Sequence, residues 1–245
     1  MKDIEQDYED FISTVSHELR TPLTSIRGFS QTMLSSWDKL DEESKKKFVK
    51  IIEEQSNRLI HLVENMLSVT KIKSSKTNIV YSVLDVNSVV EKAVLMVKTQ
   101  YPNQNFKFDK TTIPEIFADK DKFQQILVNL IENSAKYSMQ DYLTEIKTYQ
   151  KSENVYIEIS NTGLGIDEAD YEKIFTKFAR IDNPLTRKVQ GSGLGLYITK
   201  TLTEQMGGNI QVKSTPISED LSKITFTLIM PVKTLEEQAR IKCSQ

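Results

Sequence analysis

Residues 11–29 read FISTVSHELRTPLTSIRGF, and this stretch determines the architecture of the N-terminal part of the chain. Its apolar side chains recur at steps of three and four residues, the spacing of one helix face, at Phe11, Val15, Leu19, Leu23, Ile26 and Phe29. His17 lies near this stripe, and Thr21, four residues later, shares its face of the helix. Because Pro22 lacks an N–H and its ring clashes with the carbonyl of residue 18, we expect the helix to bend or loosen there.

A second amphipathic helix follows the first and continues to about residue 73. The helical pattern breaks at residues 37–42, where Asp41 is a candidate N-cap. The second apolar stripe contains Phe48, Ile51, Ile52, Gln55, Leu59, Leu62, Met66 and Val69. Two long helices joined by a short turn form a helical hairpin. One hairpin covers two such stripes poorly, so we expect two chains to form a four-helix bundle and the protein to be a homodimer.

After the polar segment KSSKTN, residues 73–78, the sequence changes to a mixture of strands and helices. Predicted strands cover residues 79–84, 142–150, 155–160, 209–214 and 223–230, and predicted helices cover residues 86–98, 119–136 and 194–206, the last closing at Gly207 and Gly208. This pattern predicts an α+β domain with helices on one face of a sheet. We therefore expect an α+β multidomain chain with a hairpin at residues 1–73, a linker at 74–79, an α/β sandwich at 80–233 and a tail at 234–245.

Composition excludes several classes of protein. The 245 residues carry a net charge of −2, which gives no basic footprint for nucleic acid. No run of 18 apolar residues is present, so we expect a soluble cytoplasmic core without membrane contact; a membrane anchor or sensor domain upstream is compatible with the sequence. The single cysteine, Cys243, excludes an internal disulfide and a multi-cysteine zinc site.

Residues 121–137, DKFQQILVNLIENSAKY, combine an apolar helix face with Asn129, Asn133, Lys136 and Tyr137 on roughly one other side. Asparagine is unfavourable inside a helix, so its repetition indicates either a binding role or two solvated side chains. The Asn133 oxygen is a candidate Mg²⁺ ligand, because magnesium takes one or two protein oxygens and completes its shell with phosphate and water. Lys136 is a candidate phosphate contact.

Two glycine-containing segments follow. In VYIEISNTGLGI, residues 155–166, a strand ends and Gly163 and Gly165 allow a ligand to approach the backbone. In GSGLGLYITK, residues 191–200, three glycines lead directly into an apolar helix, whose free N–H groups are suited to phosphate.

Taken in order, these segments resemble the sensor histidine kinases over about residues 8–232. Residues 11–29 resemble the H-box of the dimerisation and phosphoacceptor domain, and residues 121–137, 155–166 and 191–200 resemble the N, G1 and G2 boxes of the Bergerat-fold (GHKL) ATPases. IFTKFAR, residues 174–180, resembles the F-box, which makes residues 181–190 the ATP lid.

The resemblance implies a function for individual residues. His17 would be autophosphorylated with Glu18 as the assisting acid or base, and Thr21 would help to dephosphorylate a response regulator, whose receiver domain is the implied partner. ATP and Mg²⁺ are the implied cofactors, with Asn133 as the metal ligand. The implied nucleotide-binding residues are Asn129, Asn133, Lys136, Tyr137, Asn161, Gly163, Gly165, Ile166, Arg180, Arg187, Gly191, Gly193, Leu194, Gly195 and Leu196.

Asn161 departs from the family pattern, which usually has an aspartate that accepts a hydrogen bond from the adenine amino group. An amide oxygen can still accept that bond, but the loss of charge costs on the order of 1 kcal/mol of binding. This departure keeps open a phosphoacceptor scaffold that binds ATP poorly. Two further alternatives also stay open: an ATPase of the same fold without kinase activity, against which the SHELRTPL hairpin argues, and a protein in which phosphatase activity dominates.

Overall fold

The computed structural model describes residues 2–73, 78–139, 143–179 and 193–233. The chain forms two compact units, Met1–Lys71 and Ile72–Gln245. Residues 74–77 of the expected linker and the expected tail, 234–245, lie outside the described residues. Among the helices described, none combines the length and the apolar character needed to cross a membrane.

The first unit is a hairpin of two long helices, α1 (Lys2–Ser36) and α2 (Glu42–Lys73), joined by a 3-10 turn at Trp37–Lys39. The side-chain oxygen of Asp41 accepts a hydrogen bond from the Ser44 N–H at 2.6 Å, which confirms the N-cap. The rings of Phe29 and Phe48 lie 5.2 Å apart, and Glu18 pairs with Arg58. The later residue of α1, Phe29, thus meets the earlier residue of α2, Phe48, and the earlier Glu18 meets the later Arg58. The two helices are therefore antiparallel.

Pro22 does not end α1, which stays helical from Lys2 to Ser36. The missing N–H removes one hydrogen bond from the turn that begins at Glu18, but the turns on either side keep the backbone helical. The Thr21 hydroxyl donates to the His17 carbonyl at 3.3 Å in the same turn. The proline is thus accommodated inside the helix.

The hairpin leaves apolar side chains uncovered on both helices. Seven of them are between 42 and 84% exposed: Ile12, Leu23 and Leu34 on α1, and Val49, Ile60, Val63 and Leu67 on α2. The three on α1 follow one another at intervals of eleven residues, about three helical turns, so they share one face. The four on α2 also share a face by the same rule. We call these two faces the exposed apolar stripes.

The second unit is a two-layer α/β sandwich. Its strands are β1 (Tyr81–Leu84), β2 (Asn105–Lys110), β3 (Ile116–Asp119), β4 (Leu143–Lys151), β5 (Asn154–Gly163), β6 (Asn209–Pro216) and β7 (Ser222–Pro231). Its helices are α3 (Val86–Gln100), α4 (Lys120–Tyr137) and α5 (Gly195–Gln205), with 3-10 turns at Glu168–Asp170 and Lys173–Phe175. The main sheet has the order β2-β4-β5-β7-β6, with only β2 and β4 parallel, and β1 pairs with β3 in a separate ribbon.

The core lies between the main sheet and the helices. β5 occupies the centre of the sheet, and its alternating Val155, Ile157 and Ile159 are fully buried. From the helical layer, α4 contributes the fully buried Phe123, Ile126, Leu127, Leu130 and Ile131. Helix α4 thus runs across the central strand with its apolar side inward, which fixes the positions of its asparagines.

Buried Asp119 anchors the start of α4. Its carboxylate accepts hydrogen bonds from the N–H groups of Asp121 and Lys122, both at 3.1 Å, from the Lys122 ammonium at 2.9 Å and from the Val80 N–H at 2.8 Å. Burial raises the pKa of Asp119, but these hydrogen bonds and the charge of Lys122 outweigh it and leave the pKa below its usual value.

The helices and strands predicted from sequence are confirmed with small shifts at their ends. Gly207 has φ of +79°, as a glycine C-cap requires, and follows α5 as predicted. Two strands, β2 and β3, were not predicted. Strand β2 has a mixed polar pattern, and β3 is only four residues long and runs directly into α4.

Candidate functional site

His17 projects from α1 into solvent. Arg20, Thr21, Thr24 and Ser25 line the same surface pocket as His17. The imidazole of an exposed histidine is accessible to a second molecule or domain, and a neutral ring nitrogen is a competent nucleophile near neutral pH. The other histidine, His61, is also exposed and lies 3.6 Å from Glu64 on its own helix.

Glu18, next to His17, forms an ion pair across the hairpin. The Arg58 guanidinium on α2 donates to the Glu18 carboxylate at 3.2 Å, and the two side chains are only 21% and 16% exposed respectively. Sequence reasoning missed Arg58, because forty residues separate it from Glu18 and nothing in its own neighbourhood indicates the pairing. The structure therefore adds a basic partner to the residue expected to act as acid or base.

The polar side of α4 contains the predicted asparagines and Lys136. Asn133 is partly buried, and Lys136 pairs with Glu132 at 2.7 Å. The Tyr101 hydroxyl donates to the same Glu132 oxygen at 3.3 Å, and burial together with Glu132 raises the pKa of Tyr101. The candidate phosphate contact, Lys136, therefore has a carboxylate partner one turn away, which its four-residue spacing from Glu132 could have predicted.

The end of β5 lies against the end of α4. A Cβ added to Gly163 would overlap the Tyr137 carbonyl, so only glycine fits at this contact. The Met139 N–H donates to the Thr162 carbonyl at 2.9 Å, which fastens the two ends together. The phenol of Tyr137 itself is exposed. The structure thus brings the segments around Asn133 and Asn161 next to each other.

Gly165, the second glycine of residues 155–166, packs against β6 and β7. A Cβ on Gly165 would lie 2.8 Å from the Ser222 hydroxyl. The neighbouring Ile166 N–H donates to the Ser214 hydroxyl at 3.1 Å. These contacts hold the backbone after β5 in place.

The glycines before α5 approach two other motifs. Gly193 has φ of +66° and packs against the backbone of Phe178, so the segments on either side of residues 180–192 meet. Gly195 begins α5 and faces the Asn129 amide. A Cβ added to Gly195 would lie 3.8 Å from the amide carbon of Asn129. Leu194 is buried and Leu196 is partly buried. Arg180, Arg187 and Gly191 lie outside the described residues.

Four buried side-chain atoms have no hydrogen-bond partner within the described parts of the chain. They are the amide nitrogens of Asn129 and Asn161 and the hydroxyls of Ser134 and Thr199. All four belong to the three segments 121–137, 155–166 and 191–200. Buried polar groups without partners are costly, and the amides of Asn129 and Asn161 lie beside Gly195 and Gly163, which fits a site completed by a polar ligand such as a nucleotide. Ser134 and Thr199 lie on the buried faces of α4 and α5. Ser134 and Thr199 were not singled out from sequence, because nothing there indicated that they are buried.

The fold and these segments define a helical phosphoacceptor-type hairpin joined to an ATPase-type α/β domain. Residues 7–75 match the family model of the His Kinase A (phospho-acceptor) domain. Residues 118–234 match the model of the Histidine kinase-, DNA gyrase B-, and HSP90-like ATPase. The chain belongs to the sensor histidine kinase family.

Known relatives agree with this assignment. The chain is 32% identical to the signal transduction histidine-protein kinase ArlS of Staphylococcus haemolyticus over 92% of its own length and 51% of that protein. The chain thus spans about half the length of this relative. The Acinetobacter baumannii histidine kinase AdeS has a similar structure, with a TM-score of 0.66 and 25% identity over 89% of this chain and 98% of that one. The histidine kinase ThkA, solved in complex with the response regulator protein TrrA, shares the fold, with a TM-score of 0.68 and 22% identity over 95% of this chain and 64% of that one.

Proposed function

We propose that this chain is the catalytic core of a sensor histidine kinase that transfers the γ-phosphoryl group of ATP to His17 and then to an aspartate of a response-regulator receiver domain. The observation that carries the proposal is the pair of unpartnered amide nitrogens, of Asn129 and Asn161, which lie beside the glycines of residues 191–200 and 155–166. Membership of the family and an exposed His17 support it.

The nucleotide would bind between the polar side of α4, the end of β5 and the start of α5. The N–H groups at the start of α5 are suited to phosphate, since they lack partners within the helix. Asn133 would supply an amide oxygen to Mg²⁺, and Lys136 would contact phosphate while paired with Glu132. When bound, Mg²⁺ offsets charge on the phosphates. Arg180, Arg187 and Gly191 remain candidates from the sequence alone.

The chemical step forms one bond and breaks another. An unprotonated imidazole nitrogen of His17 forms a bond to the γ-phosphorus, and the bond from that phosphorus to the β,γ-bridging oxygen breaks, which releases ADP. The proton on the other ring nitrogen must leave, and Glu18 is the adjacent carboxylate that can accept it. Arg58 holds that carboxylate by its ion pair with Glu18.

The proposal includes a homodimer built on the hairpin of residues 1–73. The exposed apolar stripes support it, because apolar side chains aligned on two helices are covered when a second hairpin packs against them. The response-regulator partner is supported by the solved complex of the related ThkA. In this proposal residues 80–233 act as the ATP-binding unit, residues 74–79 as the linker and residues 234–245 as a tail.

Incubation of the purified chain with radiolabelled Mg-ATP tests the proposal. We expect an acid-labile label on the protein, no label in His17→Gln, and strongly reduced label in Asn133→Ala because Mg²⁺ loses its protein ligand. His61→Gln is the matched control, since His61 is the only other histidine and is also exposed, and it should label normally. Hydrolysis of ATP without label on the protein would favour a simple ATPase, and the absence of both would favour a scaffold.

A second activity, dephosphorylation of the response regulator, is favoured by Thr21. Its hydroxyl is exposed one turn from His17, and after donating to the His17 carbonyl it still has lone pairs that can orient a water molecule. Thr21→Ala should slow loss of phosphate from a phosphorylated receiver domain and leave labelling of His17 unchanged. Equal effects on both reactions would count against a separate phosphatase role.

A further inference from the structure

Asn161 is the last side chain in the inward-facing row of β5, since Gly163 has none. Together with Ile157 and Ile159 it points to the helix-covered side of the sheet, because alternate residues of a strand share a face. The residue is 3% exposed. Its neighbour Ser160 faces the other side, where its hydroxyl lies 2.9 Å from that of Thr225. Asn161 is therefore a polar side chain in an otherwise apolar row.

The Asn161 amide nitrogen has no hydrogen-bond acceptor among the described residues. Gly163 lies beside it: an added Cβ would be 3.4 Å from this nitrogen. The Tyr137 carbonyl occupies the place that a side chain at residue 163 would take, so the end of α4 lies beside the amide. Since no described acceptor binds the nitrogen, no such bond holds the amide in one of its two orientations.

We propose that Asn161 makes the site permissive for the purine base, so that nucleoside triphosphates carrying either a 6-amino or a 6-oxo purine bind. This inference rests on the proposed function, since it assumes that the base of the nucleotide reaches Asn161. It differs from a weakened adenine site, because it concerns which bases bind and not only how tightly ATP binds.

The hydrogen-bonding edges of the two bases explain the proposal. Adenine has a donor at its 6-amino group and an acceptor at N1, whereas hypoxanthine has an acceptor at O6 and a donor at N1. An asparagine amide has one acceptor and one donor side by side, and it pairs with either edge after a 180° rotation about its last side-chain bond. Bidentate pairing of an asparagine amide with the N6/N7 edge of adenine is a recognised mode of base readout, and the N6/N1 edge offers the same combination of one donor and one acceptor.

A carboxylate at the same position would behave differently. Both of its oxygens accept, so a carboxylate that faces the 6-position of the base binds the 6-amino group of adenine but repels O6 of hypoxanthine. Sites built around one hydrogen-bonding pattern reject the analogue that lacks it, because buried groups remain unpaired. Asn161→Asp should therefore convert a permissive site into one that selects adenine.

Equilibrium binding of Mg-ATP and of magnesium inosine triphosphate to the full chain, measured by calorimetry, tests the inference. In the native protein we expect dissociation constants within about fivefold of each other, and in Asn161→Asp we expect the inosine nucleotide to bind about 10- to 100-fold more weakly relative to ATP. Asn154→Asp, at the opposite end of β5, is the matched control and should keep the native ratio.

Each outcome decides the matter. A native protein that prefers ATP by more than about fivefold, or an Asn161→Asp protein with the native ratio, overturns the inference while leaving the kinase proposal intact. If neither nucleotide binds to folded protein, the proposed function fails and the inference fails with it. Because the native ratio is informative alone, the test does not depend on Asn161→Asp folding well.

Discussion

The ion pair between Glu18 and Arg58 joins the two hairpin helices beside His17, and its strength can be measured with Arg58→Met, Glu18→Gln and the double variant. At 3.2 Å the attraction is at most about 5 kcal/mol for an effective dielectric constant near 20, and desolvation offsets much of it. Exposed pairs contribute up to about 1 kcal/mol, whereas breaking a buried pair costs about 3–5 kcal/mol. Side chains that are 21% and 16% exposed lie between these cases, so we expect a coupling of about 1–2 kcal/mol.

Urea unfolding followed by tryptophan fluorescence is the appropriate assay. Trp37 is the single tryptophan and lies in the turn that joins α1 and α2, so its emission reports on the hairpin. The double-mutant cycle isolates the pair from any other contact of Arg58. Protein concentration must be equal in all samples, because the stability of the proposed dimer would depend on it.

Exposed Arg27 on α1 provides the control, and Arg27→Met should change the unfolding free energy by less than about 0.5 kcal/mol. In the labelling reaction, Arg58→Met should slow phosphorylation of His17 about tenfold, because Glu18 is misplaced. The double variant should be no slower than Glu18→Gln alone. A coupling below about 0.3 kcal/mol, or equal slowing in both backgrounds, would refute the positioning role of Arg58.

Three other predictions concern the stability of the two units. Gly163→Ala should destabilise the α/β unit by about 1–3 kcal/mol and weaken ATP binding, because the new methyl group overlaps the Tyr137 carbonyl; unchanged thermal unfolding would contradict this packing. Gly28→Ala should instead stabilise the hairpin by about 0.5–1 kcal/mol, since Gly28 is an exposed helix residue with nothing within 4 Å of the added carbon, and a lower urea midpoint would show otherwise. Asp119→Asn should remove part of the pH dependence of the free energy of unfolding. The pKa of Asp119 is below its usual value in the folded state, so the ionised carboxylate stabilises the fold above about pH 5, and this stabilisation is lost as the pH falls below about 4. Parallel acid-unfolding curves for the native protein and Asp119→Asn would exclude this contribution.

Sequence reasoning found the elements with a strong period and missed those whose pattern is set by tertiary contacts. The central strand β5 was predicted because Ile157 and Ile159 alternate with polar residues. Strand β2, NFKFDK, is an edge strand with partly exposed side chains, so its pattern is weak. Strand β3 is completely buried but has only four residues, too few for a period.

The site shows the same division. The asparagines and glycines could be identified because such residues are unusual inside helices or useful in tight contacts. That Gly163 meets the carbonyl of Tyr137, and Gly195 the amide of Asn129, depends on how α4 crosses the sheet, which local sequence does not specify. The roles that the resemblance assigns to individual residues stay predictions until the labelling and binding experiments are done.

The proline inside α1 has a mechanical consequence. Helix α1 has one turn, at Pro22, that lacks a backbone hydrogen bond. At 1.5 Å per residue, this turn lies about 30 Å from Lys2, the first residue of the helix. A tilt of about 10° at that joint would displace the far end sideways by about 5 Å, the length of one helical turn. A sideways displacement of the N-terminal end of α1 would therefore tilt the helical segment that carries His17, and the helix would not need to unfold.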